Sequence, residues 1–176
     1  MHVMQHLNFE VKARTNNHAV IRKWLMDNGA DMRGIDVQTD TYFNLPEDRG
    51  RLKLRQGNIE HNLIHYHRSD NAEARVSDVA LSPVTDTGAL KNLLTRALGV
   101  KVEVLKKREI YYIENVKFHL DELEGLGYFV EIEAIATNVE MPVEYLESQC
   151  RHYMQAFMIR PEDIMADSYS DMLLQQ

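Results

Sequence analysis

The sequence predicts an α+β fold: a closed or nearly closed eight-stranded antiparallel β-barrel with peripheral helices. Three observations predict it. About eight segments alternate apolar and polar side chains with the two-residue period of a strand. Glycine, proline and asparagine punctuate them as turns. Helical periodicity is confined to a few connections and to the C-terminal end.

The first strand is HLNFEVKAR, where Leu7, Phe9 and Val11 alternate with Asn8, Glu10 and Lys12, and Arg14 continues the polar row. Thr15 or Asn16 caps a helix running to about Asn28, stopped by Gly29, with Val20, Ile21, Trp24 and Leu25 at helical spacing. Trp24 belongs to that apolar stripe and is read as core. Met32 to Asn44 is rich in β-branched and aromatic residues, and LPEDRG turns the chain into a strand where Arg51, Lys53 and Arg55 alternate with Leu52 and Leu54. Three cations on one strand face repel one another unless they face water or an anion.

After the GNIEHN turn, LIHYHR places Ile64, Tyr66 and Arg68 opposite Leu63, His65 and His67. His61, His65 and His67 read as an exposed outer face rather than a zinc cluster, since no cysteine or HExxH pattern accompanies them. EARVSDVAL is the next strand, with Arg75 and Ser77 on one face; Gly88 to Leu98 is a packing helix ended by Gly99. Lys101 to Glu114 is a long strand with Lys106 and Arg108 on one face and Lys107 on the other. Asn115 to Ile135 is a hairpin around Gly125 and Gly127. His119 and Asp121 share a face of its first strand, Glu131 and Glu133 a face of its second. Those glutamates project about 7 Å apart, which suits a divalent cation held by oxygen ligands. A helix follows Pro142, and a second is expected from Pro161 through Ile164, Met165, Tyr169, Met172 and Leu173.

The 176 residues read as a single domain, 1–176. With 20 basic against 27 acidic residues, net charge −7, the sequence argues against a nucleic-acid or anionic-membrane surface. One cysteine, no long apolar span and no secretory signal point to the cytoplasm. The oligomeric state is open, a homodimer being compatible.

If the strands close, an eight-stranded interior just admits side chains or one small ligand. The polar faces would then line it with mostly cationic residues. Uncompensated charges in such an interior cost several kcal/mol each, so the lining must stay wet or hold a matching anion. A triphosphate, with roughly four negative charges, matches, and the carboxylates add a metal that bridges phosphate oxygens. A charged face in water is the plain alternative for any one strand. No glycine-rich phosphate loop, adenine-reading motif or serine or cysteine triad is present.

FEVKAR, RLKLR, the YHR strand, ARVS, VLKKREIYY, HLDELEGLG and VEIEA, in that order from Asn8 to Ala134, resemble the CYTH superfamily, the triphosphate tunnel metalloenzymes, and most closely its class IV adenylyl cyclase-like bacterial members. The resemblance implies an antiparallel eight-stranded tunnel and a Mg²⁺- or Mn²⁺-dependent enzyme. It implies Glu10, Glu131 and Glu133 as metal ligands, and Lys12, Arg14, Lys53, Arg55, Arg68, Arg75, Lys106 and Arg108 as the phosphate clamp. Lys12, Arg108 and Asp121 would stand at the reacting group. The first-strand ExExK signature reads Asn8, Glu10 and Lys12 here, so its first glutamate is absent. The expected reaction converts ATP to cyclic AMP and pyrophosphate. The alternatives are inorganic or thiamine triphosphate hydrolysis, or a triphosphate-binding module with weak catalysis.

Overall fold

The computed structural model describes residues 4–68 and 76–176. Strands β1 (Met4–Arg14), β2 (Asp31–Phe43), β3 (Arg51–Gln56), β4 (His61–Arg68), β5 (Val76–Pro83), β6 (Val100–Ile113), β7 (Val116–Leu123) and β8 (Gly127–Ile135) pair antiparallel throughout. In the order β1-β5-β4-β3-β2-β6-β7-β8 they form a closed barrel, β1 joining β5 on one side and β8 on the other. Closure leaves no exposed edge, and it forces every strand to present alternate side chains to the bore and to the outside.

The apolar rows point outward. Phe9, Val11 and Ala13 of β1, Phe118 and Leu120 of β7, and Val130 and Ile132 of β8 pack with Ile21 and Leu25 of α1 (His18–Asp27) and with Leu146 and Cys150 of α3 (Val143–Ala156). These helices therefore bury the outer face of the β1–β8–β7 wall and leave the polar rows to the bore. Trp24 packs against this core, its ring edge-on to Phe157 at 5.4 Å. α2 (Thr87–Leu98) begins one residue earlier than Gly88, because the Asp86 side chain accepts the Ala89 N–H. Likewise α1 starts at His18, with Asn17 rather than Thr15 or Asn16 in the cap position.

The C-terminus departs from the sequence expectation. Pro161–Asp163 is a single 3₁₀ turn, and α4 (Tyr169–Leu174) is a separate helix nucleated by a capping box between Ser168 and Asp171. Between them the chain is extended: Ile164 bridges to Ala13, and the Met165 N–H donates to the Lys12 carbonyl. Backbone bonds to β1 thus replace helical ones. They bring α4 to one end of the barrel, where Tyr169 and Met172 pack with Tyr42, Leu123, Leu126 and Phe129. Among the described residues, no helix is long and apolar enough to cross a membrane.

Phe118 is fully buried between β7 and α3. Phe118→Ala is expected to cost about 3–5 kcal/mol in urea unfolding, and Val20→Ala, on the exposed side of α1, less than about 0.5 kcal/mol. Equal costs would contradict this placement of the core.

Candidate active site in the barrel interior

The inward rows enclose a cavity of about 350 Å³. On β1 and β8 the register sets Glu10 directly opposite Glu133 and Lys12 opposite Glu131, all four lining the cavity. Across the bore, β2, β3 and β6 converge on Asp40. Its carboxylate accepts from Arg55 Nε and Nη2 at 2.8 and 2.9 Å, from Lys106 Nζ at 2.6 Å and from Lys53 Nζ at 3.2 Å. Burial alone would raise Asp40, but the cations Arg55, Lys106 and Lys53 outweigh it and hold the carboxyl well below its usual range. Burial and the neighbouring Arg108, Arg55 and Lys53 lower Lys106 to about 7, against the opposing pull of Asp40.

A second network joins β6, β7 and β8. Arg108 donates to Asp121 Oδ1 at 2.6 Å and Oδ2 at 2.5 Å, and to Glu131 Oε2 at 2.6 Å. Glu131 also meets Lys12 Nζ at 3.2 Å and His119 Nδ1 at 3.0 Å. Tyr169 reaches in from α4, its hydroxyl donating to Asp121 at 2.7 Å and its ring 4.0 Å from Lys12 Nζ. Burial, with Arg108 and Lys117 nearby, drops His119 to about 3 despite Glu131, so its ring is neutral. At the far end Glu60 lines the bore and bridges Arg55 at 2.7 Å and Lys117 at 2.5 Å.

Of the residues singled out in the sequence, Glu10, Lys12, Lys53, Arg55, Lys106, Arg108, Glu131 and Glu133 line one cavity. Asp121 is fully buried behind Arg108 and does not face it. Arg14 is corrected: it lies exposed beyond the cavity, its guanidinium over the Phe129 ring at 4.7 Å and donating to the Leu126 carbonyl, because β1 ends there. Arg75 and the side chain of Arg68 lie outside the described residues. His65 and His67 do not line the cavity; their rings stack edge-on at 5.1 Å.

The three glutamates do not stand together. Among the described residues no three His, Cys, Asp or Glu side chains are gathered around a common point, Glu131 being turned to its cations. Asn8, in the place of the first motif glutamate, donates from Nδ2 to Glu133 at 2.5 Å, and its buried Oδ1 has no partner among the described residues.

Sequence reasoning missed Asp40, Glu60, Lys117 and Tyr169. Asp40 and Lys117 were legible, since each shares the inward face of its strand, with Gln38 and Tyr42 or with His119 and Asp121. Glu60 ends a turn and Tyr169 arrives from a distant helix, and no local period marks either. Among the described residues, which leave out Arg75 and the Arg68 side chain, the excess of cations is smaller than expected. Among the described residues Lys12, Lys53, Arg55, Lys106, Arg108 and Lys117 are met by Glu10, Asp40, Glu60, Glu131 and Glu133, with Asp121 behind.

The CYTH domain family model matches residues 6–158. A protein of Pyrococcus horikoshii shares 27% identity and superposes with a TM-score of 0.81, covering 93% of this chain and 98% of its own. A candidate adenylate cyclase of Vibrio parahaemolyticus, 20% identical, gives 0.78 over 96% and 98%. A candidate adenylyl cyclase of Hippeastrum with a dominant triphosphatase activity, 14% identical, gives 0.59 over 96% and 94%. No curated protein matches the chain. With its family model spanning the barrel from β1 to α3, the chain belongs to the CYTH domain family.

Proposed function

We propose that this protein is a metal-dependent enzyme that holds a triphosphate inside the barrel and carries out adenylyl cyclase-like chemistry on it. The observation that carries the reading is the barrel cavity in which Lys53, Arg55 and Lys106 converge on Asp40, facing the opposed carboxylates Glu10 and Glu133. Preorganised cations of this kind bind phosphate oxygens and stabilise charge that develops on a leaving group.

Two carboxylates directly opposite on neighbouring strands repel one another, which a cation relieves. Glu10, Glu133 and Asn8 Oδ1, which has no partner among the described residues, are hard oxygen donors and fit Mg²⁺ or Mn²⁺; Glu131 would join them by leaving Lys12. Held there, the ion would supply positive charge that neutralises the phosphates.

In the cyclase reaction the ribose 3′ hydroxyl gives up its proton to solvent as its oxygen bonds to the α-phosphorus, the bond from that phosphorus to the bridging oxygen breaks, and pyrophosphate departs. Lys53, Arg55, Lys106 and Arg108 would orient the phosphates and receive the negative charge of the pyrophosphate. Asp121 and Tyr169 would act by fixing Arg108 and Lys12. A second reading, in which water replaces the ribose hydroxyl, draws support from the triphosphatase activity of the Hippeastrum neighbour.

Offered ATP, inorganic triphosphate and thiamine triphosphate separately with Mg²⁺ or Mn²⁺, the protein is expected to release cyclic AMP and pyrophosphate from ATP. Phosphate release from any of the three would establish the hydrolase instead. Binding without turnover would make the chain a triphosphate-binding module.

The lowered Lys106 gives a pH dependence with a definite sign. A bound polyanion favours the charged amine and raises its value above about 7. Its contribution to affinity is therefore fully present below about pH 7 and is lost as pH rises toward the value in the complex. Calorimetry of inorganic triphosphate should show affinity falling, relative to Lys106→Met, by up to about tenfold per pH unit above neutrality, with proton uptake on binding. Parallel pH profiles for the two proteins would remove Lys106 from the clamp.

A further inference from the structure

The bore changes character along its length. The end covered by α4 is where β2 finishes and β3 begins, and there Lys12, Lys53 and Lys106 gather. At the other end β3 turns into β4, β5 and β8 finish and β7 starts, so Leu81, Ile135 and Lys117 come to the same mouth as Glu60. Ile64 pairs directly with Leu81 and extends the apolar surface inward. Leu81 and Ile135 are only half-buried. They present apolar surface to the cavity, which an apolar group of a ligand would cover.

Glu60 is not a swinging arm. Two strands, β2 and β6, separate β3 from β7 around the ring, so its bridge from Arg55 to Lys117 crosses the bore. The turn that carries it is pinned from behind. Asp36, fully buried on β2, accepts the backbone N–H groups of Asn58, Ile59 and Glu60 at 2.5, 3.0 and 3.0 Å. A Cβ on Gly57 would lie 2.5 Å from both Asp36 oxygens, so the turn sits against the carboxylate as closely as glycine permits. Glu60 is thus a fixed negative charge inside a cavity whose proposed ligand is a polyanion. A phosphate brought to its level meets like charge at short range, a juxtaposition that weakens binding. A cationic group is disfavoured there as well, by Arg55 and Lys117.

Resting on the triphosphate reading of the cavity, we infer that Glu60 is a specificity-determining residue that ends the phosphate chain, and that the apolar rim of Ile64, Leu81 and Ile135 receives an uncharged organic group. The substrate is then an organic triphosphate monoester with its phosphates toward α4, rather than inorganic triphosphate or a triphosphate of a cationic alcohol.

Calorimetry with Mg²⁺ and three probes, α,β-methylene-ATP, inorganic triphosphate and inorganic tetraphosphate, tests this. The wild-type protein should bind the ATP analogue about tenfold or more tighter than inorganic triphosphate, and tetraphosphate no tighter than triphosphate despite its added charge. Glu60→Gln should tighten tetraphosphate about tenfold, and Leu81→Ala should bring the ratio of analogue to inorganic triphosphate toward one. If melting shows Leu81→Ala unfolded, Ile135→Val, one methylene smaller, makes the same test. Equal binding of analogue and inorganic triphosphate, or tetraphosphate unmoved by Glu60→Gln, overturns the assignment and leaves the triphosphate reading standing. Failure of all three probes to bind overturns both.

Discussion

Everything in this barrel turns on one buried carboxylate and the cations it gathers. Asp40 stands on β2 with Arg55 and Lys53 from β3 and Lys106 from β6 around it, so three adjacent strands are joined through a single anion. Without it, three like charges would face one another at close range in the bore, an arrangement that costs several kcal/mol where the groups are buried. With it, the three cations are gathered around one anion at the wall of the cavity. Arg108 is held in the same manner by Asp121 and Glu131, and Lys117 by Glu60. The interior can carry this much charge because the apolar rows of β1, β7 and β8 are satisfied on the outside by α1 and α3. Core and site are thus two faces of the same strands.

The balance of charge has a consequence for ligands. The described lining sets cations against carboxylates in nearly equal number, and Lys106 sits close to neutrality. A polyanion entering alone would leave the described lining strongly negative. On the proposed reading, a divalent cation entering with it would restore balance, its donors being Glu10, Glu133 and the Asn8 side-chain carbonyl, which has no partner among the described residues. Asn8 itself is tied to Glu133.

How much of this could be read in the sequence follows from the range of the interactions. Strand alternation is local, so the barrel, the inward placement of Lys53, Arg55, Lys106 and Arg108, and the hairpin carrying Glu131 and Glu133 were all legible from neighbours two residues apart. Closure converts those separate faces into one cavity. Pairings across the bore were not legible: Glu60 meets Lys117 at a separation of 57 residues and Tyr169 meets Asp121 at 48, and neither pair leaves a periodic trace. The helix expected from Pro161 failed for a related reason. Its middle gives backbone bonds to β1, a tertiary gain that local propensity does not contain. Arg14 extended the polar row of β1 and still pairs with Phe129 of β8, but as the last residue of the strand it lies at the rim and turns to the Leu126 carbonyl.

Coupling between metal and triphosphate is the most direct test of the account. Mn²⁺ binding can be measured by titration with and without a saturating non-hydrolysable triphosphate, and the triphosphate with and without Mn²⁺. If the charge-balanced bore is the binding site, each should strengthen the other by the same factor, of about tenfold or more. Triphosphate that binds equally well with and without the ion would contradict it.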